Sequence, residues 1–404
     1  IEHQERALAE AGDDVALRIE ILLALFERIS FDPEGAGRYA DQAITLLRGC
    51  GDDAALAQAL IQKFIAEAVL GHGAQGHLLE EALALEARSA GPRSVYPLLW
   101  FHWIDDVAAT RARYRLHERR YGDHGDVTAA TEIAEFVAMA EFRAGNWPEA
   151  ARLLGEACDA LAQFDLRGPF IASFADRAVV DAHCGRIERA RRTLLDILGP
   201  GGGDRADGGD HAGGELDPFW RMVAHSAQGS VEFCGGDYAA ADRAWTTMRA
   251  EAQVAGWVDF LDDRSEPDHV EALIALGKVD EAVDVLGHLA WRGRTLPRAW
   301  IDAGLPRARA LVMAAHGRLT EALAELDAAP PTPDLPFEAA RLLLVRGQLE
   351  RRINRKLAAR DSLTRALERF EALGSPPWVQ RARDELARIG LQHRGPTELT
   401  AGEF

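Results

Sequence analysis

The sequence predicts an all-α fold in which helical hairpins stack side by side into a superhelix, an α-solenoid. Ala, Leu, Glu and Arg, all good helix formers, fill most stretches of its 404 residues. Apolar positions recur three and four residues apart, as at Ala150, Leu153, Leu154, Ala157 and Leu161, and so share one helix face. A turn-and-helix pattern then repeats along the chain. No run of alternating β-branched residues reads as a strand.

The repeat is Gly-x-Φ-x-x-Ala-x-x-x-Φ-x-x-(Ala/Φ), with Φ apolar or aromatic. A weak first copy runs Gly35, Gly37, Ala40, Ile44, Leu47. Full copies follow at Gly145, Trp147, Ala150, Leu154, Ala157 and at Gly185, Ile187, Ala190, Leu194, Ile197. Three more begin at Gly236 (Tyr238, Ala241, Trp245, Met248), Gly277 (Val279, Ala282, Leu286, Leu289) and Gly317 (Leu319, Ala322, Leu326, Ala329). The turn glycines step by 40, 51, 41 and 40 residues. Glycine ends one helix because it takes the left-handed conformation without a Cβ clash. The alanine lets the two antiparallel helices approach, and the apolar residues beyond it pack on the next hairpin. This grammar resembles the tetratricopeptide repeat, with a period longer than the usual length of about 34 residues. Such hairpins bury their apolar faces only by stacking, which leaves a concave inner surface.

The step of 51 contains residues 199–214, Gly-Pro-Gly-Gly-Gly-Asp-Arg-Ala-Asp-Gly-Gly-Asp-His-Ala-Gly-Gly. With no apolar surface to bury, this segment reads as a flexible loop. The expected division is N-terminal repeats over 1–198, the loop over 199–217, C-terminal repeats over 218–390 and a linker segment over 391–404. The loop either separates two lobes or is an insertion tolerated within one array.

Composition narrows the chemistry. The net charge is −18, from 46 basic and 64 acidic residues, whereas a duplex binder needs a basic stripe to displace counterions. Only Lys63, Lys278 and Lys356 are lysines, and so heavy an Arg and Ala usage reads as coding bias rather than phosphate chemistry. The four cysteines form no C-x-x-C pair, which argues against a disulfide framework or a cysteine zinc site. Apolar runs are too short to span a bilayer and the first residues do not read as a signal peptide, so no membrane partner and a cytoplasmic location are expected. Gly71 to Gly76 matches the opening of a phosphate loop, but His77 and Leu78 stand where Lys and Ser/Thr are needed; the segment reads as another turn with Gly76 in a small-residue slot. The pairs His77 with Glu80 and His102 with Asp105 lack further metal ligands, and no nucleophile motif occurs. Carboxylates read as solvated helix faces. The expectation is a non-enzyme with no cofactor and no metal.

Aromatic residues carry the candidate site. Tyr96, Trp100, Phe101 and Trp103 fall within eight residues, and Trp100 and Trp103 share a helix face. His102, Asp105 and Asp106 are interleaved or adjacent, and Trp220 and Trp257 come later. Two readings stand: the rings fill space between hairpins, or Tyr96, Trp100, His102, Trp103, Asp105, Asp106, Trp220 and Trp257 form a ligand pocket with an apolar floor and polar tips.

Residues 340–390 carry a more specific similarity. They include Ala340-Arg341-Leu342-Leu343-Leu344-Val345-Arg346-Gly347, Ala358-Ala359-Arg360-Asp361-Ser362-Leu363, Phe370, Leu373-Gly374, and Trp378 followed by Arg381-Ala382-Arg383, Glu385-Leu386, Arg388 and Gly390. This resembles the last helical repeats of the large ATP-binding, MalT-like regulators of the LuxR family. Leu399, Thr400 and Glu403 are similar to the Leu-Thr-x-x-Glu opening of that family's DNA-binding helix-turn-helix, and Ala7 to Asp14 to the entry of its repeat region. The resemblance implies a sensor and interaction region of a longer regulator, without the ATPase module and with residues 391–404 as a linker and the start of a truncated helix-turn-helix domain. It implies a small-molecule inducer or partner protein in the concave groove, DNA contact only through the C-terminal domain, and self-association of the full-length protein. A scaffold binding a peptide or partner protein, with no inducer, is the alternative.

Overall fold

The computed structural model describes residues 2–30, 32–89, 94–124, 127–163, 171–199 and 216–391. Among these residues every regular element is helical, with twenty α-helices, one 3-10 helix and no strand. No described helix is long and apolar enough to cross a membrane.

The five expected hairpins form where the glycines stand. They are Val127–Arg143 with Trp147–Gln163, Ile171–His183 with Ile187–Leu198, Pro218–Gly235 with Tyr238–Val254, Glu266–Ala275 with Val279–Thr295, and Ala299–Ala315 with Leu319–Asp327. Gly145, Gly185, Gly236, Gly277 and Gly317 sit between the partners with φ of 78° to 86°. After Gly236, the Asp237 side chain accepts from the Ala240 N–H at 2.9 Å and caps the second helix. The repeat alanines Ala150, Ala190, Ala241, Ala282 and Ala322 are all buried.

A sixth hairpin pairs Pro336–Arg352 with Lys356–Leu373. Its turn is Asn354 at φ 66°, one of the few residues besides glycine that tolerate this conformation. Ala359, Leu363 and Ala366 hold the pattern's buried places. The weak early copy is not a turn: Gly35 and Gly37 lie inside the helix Pro33–Leu47. Asp32 caps that helix through the Gly35 N–H at 2.8 Å, and Pro33 opens it, a start signal that outweighs the glycines. The turn there is Gly51, φ 72°, before the helix Asp53–Val69. Gly71 and Gly73 turn the chain into Gly76–Arg88, and Gly76 opens that helix with empty space over its Cα rather than filling a tight slot.

The superhelix closes on itself. Trp147 and His183 meet Phe337 at 5.7 and 5.2 Å between ring centres. The Ser375 hydroxyl donates to the His183 carbonyl at 2.7 Å, across 192 residues of chain. The same offset joins the N-terminal helices to the middle: the Val258 and Asp259 N–H groups both donate to the Val69 carbonyl, and Trp257 Nε1 to the Ile29 carbonyl. About five hairpins thus make one superhelical turn, and the next turn packs on it. One core cluster runs from Phe26 to Ile389. The helices flanking the Gly-rich insertion touch, with Arg191 paired to Glu232 at 2.5 Å. Residues 200–215 and 392–404, including Leu399, Thr400 and Glu403, lie outside the described residues.

Candidate ligand-binding site

The first helix of each of the six hairpins faces the inside of the superhelix, and these helices line a central cavity with residues such as Arg143, Asp176, Ser226, Asp268, Arg307 and Glu338. The connection from Val254 to Glu266 enters the same space. It departs from the Ala and Leu grammar and reads Trp257-Val258-Asp259-Phe260-Leu261-Asp262-Asp263-Arg264-Ser265. Asp259, Leu261 and Asp263 are buried. Asp259 holds the segment in place: its carboxylate accepts from Arg292 Nε at 2.9 Å and from Arg298 at 2.6 and 3.2 Å. All three residues are sealed from solvent; Arg298 depends on this carboxylate, while Arg292 also pairs with Glu266 at 2.7 Å. Burial, and then the neighbouring charge of Arg292, push Arg298 down to about 10.

Two chambers meet inside. The first, about 390 Å³, is walled by Tyr96, Trp103, Phe136, Phe219, Trp220 and Trp257, with Glu135 and Asp262 at its edge. The second, about 180 Å³, is lined by Asp105, Arg143, Asp176, Asp262, Arg264 and Trp300 among others. Val223 and Asp262 line both, so an aromatic space adjoins a charged one.

In the charged chamber Asp105 is the hub. It ends the turn after the helix Tyr96–Trp103 with φ 62°, a conformation costly for a residue other than glycine. Its Oδ1 accepts from Arg264 at 2.6 Å and lies 3.4 Å from Arg143 Nε. Arg264 also donates to the His102 carbonyl at 2.8 Å. Arg143 guanidinium nitrogens lie 3.2 Å from Nδ1 and 3.1 Å from Nε2 of His102, of which the neutral ring accepts through one, and Nε2 is 3.6 Å from Asp262. Burial first, and Arg143 second, push the imidazole down to about 4, so it is neutral at physiological pH. Burial and then the charge of Asp262 push the Asp176 carboxyl well above the usual range. Against the cost of burial, His102 and Arg264 hold Asp262 below it. On the far wall Asp268 bridges Arg307 and Arg341, both at 2.9 Å, and the buried Arg341 guanidinium stacks 3.9 Å over Trp378.

The aromatic residues singled out in the sequence divide. Tyr96, Trp103, Trp220 and Trp257, from three separate stretches, converge on the aromatic chamber. Trp100 turns away, 4% exposed, and packs edge-on against Phe64 at 4.4 Å. His102 is buried behind the chambers and reaches them through Arg143 and Asp262. Asp105 lines the charged chamber. Asp106 is exposed and caps the helix Val107–His124 through the Ala109 N–H at 2.8 Å. Sequence reasoning missed Arg143, Asp176, Asp262, Arg264 and Arg307, having read charges as solvated faces. The signal available was the loss of repeat grammar between Trp257 and Ser265. Among the described residues no group of three or more His, Cys, Asp or Glu side chains is placed to hold a metal ion.

The sequence matches no protein-family profile and no curated protein. Among solved structures it is similar to a Rap protein complexed with competence and sporulation factor. That likeness has a TM-score of 0.61 at 14% identity and covers 92% of this chain and 99% of the other. It is a likeness of fold: a tetratricopeptide-like superhelix of helical hairpins.

Proposed function

We propose that this chain is an effector-sensing repeat domain whose effector is a short peptide held inside the superhelix. The observation that carries the reading is the adjacency of the two chambers, which share Val223 and Asp262. A peptide presents what this space complements, an apolar or aromatic side chain for the tryptophans and a polar remainder for the charged wall. The structural neighbour is itself a complex with competence and sporulation factor, which supports effector binding by a chain of this fold. A small-molecule inducer is the second reading, favoured by the aromatic chamber, whose 390 Å³ falls in the range of small-ligand pockets.

Coupling follows from the architecture. Six inner helices surround the cavity, and contacts such as Trp147 to Phe337 join one superhelical turn to the next. An effector that prefers one spacing of the hairpins shifts the whole array, because small rotations per repeat accumulate. The similarity of residues 340–390 to LuxR-family regulators supports placing this output in transcription activation. In that reading ATP hydrolysis and DNA binding belong to other modules, and this chain performs neither. The −18 charge and the absence of Lys-Ser/Thr after Gly76 motivate this.

The test is thermal and chemical denaturation of the chain with random pentapeptide pools and with indole compounds. A binder at about a hundred times its Kd adds about 2.7 kcal/mol of stability. Stabilisation that Trp220→Ala removes is the expected result. If no pool and no indole compound stabilises the parent, the sensing reading is wrong.

A further inference from the structure

We infer that the outer layer of the superhelix carries a second site, which takes a small carboxylic acid with an apolar body and pairs its carboxylate with Arg249. This site is separate from the effector cavity and holds whether or not a peptide binds inside. It is a cavity of about 470 Å³ between the second helices of the third and fourth hairpins, Tyr238–Val254 and Val279–Thr295, and the connection that carries Trp257 and Phe260. That volume falls in the range of small-ligand pockets. Met248, Ala252, Trp257 and Phe260 form its apolar walls, and all four are buried.

The polar wall carries one unmatched charge, and it is positive. Asp242, outside the cavity, accepts from His269 Nε2 at 2.7 Å and from Lys278 at 2.8 Å. With its proton on Nε2, the His269 ring offers Nδ1 as an acceptor, and Arg249 Nη2 donates to it. The ring thus fixes the guanidinium without neutralising it. Arg249 Nη1 is buried and has no partner, and it is the only buried side-chain polar atom so left among the described residues that line the cavity. Buried polar atoms are rarely left so. The neighbouring acids are already spent. Asp259 serves Arg292 and Arg298, and Glu266 serves Arg292 and His288. Asp263 does line the cavity, but its Oδ1 accepts from the Ser265 N–H at 3.0 Å and the Ser226 hydroxyl at 3.3 Å, and its Oδ2 lies 3.8 Å from Arg292. An acid that fills the apolar walls gives Arg249 Nη1 its acceptor and its counter-charge together. One free donor nitrogen and one charge match a carboxylate monoanion rather than a phosphate dianion.

The experiment measures binding to the full chain by titration calorimetry with 3-phenylpropionate, 3-phenylpropanol and 3-phenylpropylamine, one ring with three charges. The acid is expected to bind roughly ten- to a hundred-fold more tightly than the alcohol, the worth of a charge-assisted contact, and the amine more weakly than the alcohol. R249Q is expected to bring the acid down to the alcohol's affinity while leaving the alcohol's own in place, and R249K to keep part of the preference. Gln253 is exposed at the edge of the same cavity, so Q253E serves as the second variant should R249Q fail to fold. Its like charge is expected to weaken the acid by about two- to five-fold and to leave the alcohol unchanged. An alcohol that binds as tightly as the acid, or an acid whose affinity no folded variant of the two changes, overturns the proposal. Loss of acid binding in W220A with R249Q unaffected overturns it as well, because that result puts the acid in the aromatic chamber. Absence of binding by all three probes overturns it and leaves the sensing reading standing.

Discussion

Gly229 and Gly287 both lie inside helices, yet replacing each by alanine is expected to change stability in opposite directions. Gly229 sits in Pro218–Gly235, the inner helix that carries Val223 and Ser226 to the cavity. A Cβ there would stand 2.3 Å from Trp245 Nε1, 2.4 Å from Cδ1 and 2.5 Å from Cε2. Ordinary contact is about 3.5–4.0 Å, so the indole must move by about an ångström or more. It has nowhere to go: Trp245 is fully buried between Phe233 and His269, with ring centres at 5.8 and 5.3 Å. Moving it also breaks the bond from Nε1 to the Ser226 carbonyl at 3.2 Å. Overpacking costs about 1–3 kcal/mol and an orphaned buried donor about 1–3 kcal/mol, while alanine in place of glycine returns about 1 kcal/mol of helix propensity. The expected net loss is about 2–4 kcal/mol. Gly287 lies on the exposed side of Val279–Thr295 with nothing within 4 Å of a Cβ, so only the propensity remains and G287A should gain about 0.5–1 kcal/mol. Urea titration followed by tryptophan fluorescence and far-UV dichroism measures both. G229A as stable as the parent, or G287A destabilised by more than about 1 kcal/mol, refutes the reasoning.

D259A should cost about 3–5 kcal/mol in the same titration, because it strands the Arg298 guanidinium in a dry interior while Arg292 keeps Glu266 at 2.7 Å; a loss under about 1 kcal/mol would show that water reaches Arg298. Trp100→Ala should cost about 3–5 kcal/mol through the cavity left beside Phe64, whereas Trp220→Ala, half exposed, should cost less and act on ligand binding; equal losses would contradict the division of the tryptophans between core and chamber. His183 is packed among Phe142, Trp147 and Phe337, and burial pushes it down to about 4. The unfolded chain takes up its proton near pH 6.5 and the folded one only near 4, so acid favours unfolding. The stability advantage of the parent over H183Q should therefore be full above pH 6.5. It should shrink as the pH falls toward 4, by at most about 1.4 kcal/mol per pH unit; an advantage independent of pH across that window would contradict a neutral buried ring.

The hairpins were legible because each is a local object. A left-handed glycine, a small residue five positions on and an apolar face together specify two antiparallel helices, and neighbours are compelled to stack. Asn354 escaped because the pattern demanded glycine, although the physical requirement is only a residue that tolerates positive φ. Gly35 and Gly37 misled for the converse reason: glycines matching the spacing lie in a helix that Asp32 and Pro33 had already started. The convergence of Tyr96, Trp103, Trp220 and Trp257 was half legible. Composition marked the rings as costly, but their meeting depends on the path of the superhelix, a sum of small rotations that no single repeat encodes.

The charged interior was the least legible feature, and its reason is energetic. On an isolated helix an aspartate or arginine is cheapest in water, so a charged position reads as an outer face. In a superhelix whose turns touch, the inner faces of six helices share a space with little water, and charge survives there only when matched. Arg341 meets that condition with Asp268 and Glu271, at 2.9 and 2.8 Å, and with the Trp378 ring. Asp105 meets it with two arginines, even at the cost of a left-handed backbone. Most of the interior charge is therefore matched within the chain and serves to register one superhelical turn against the next.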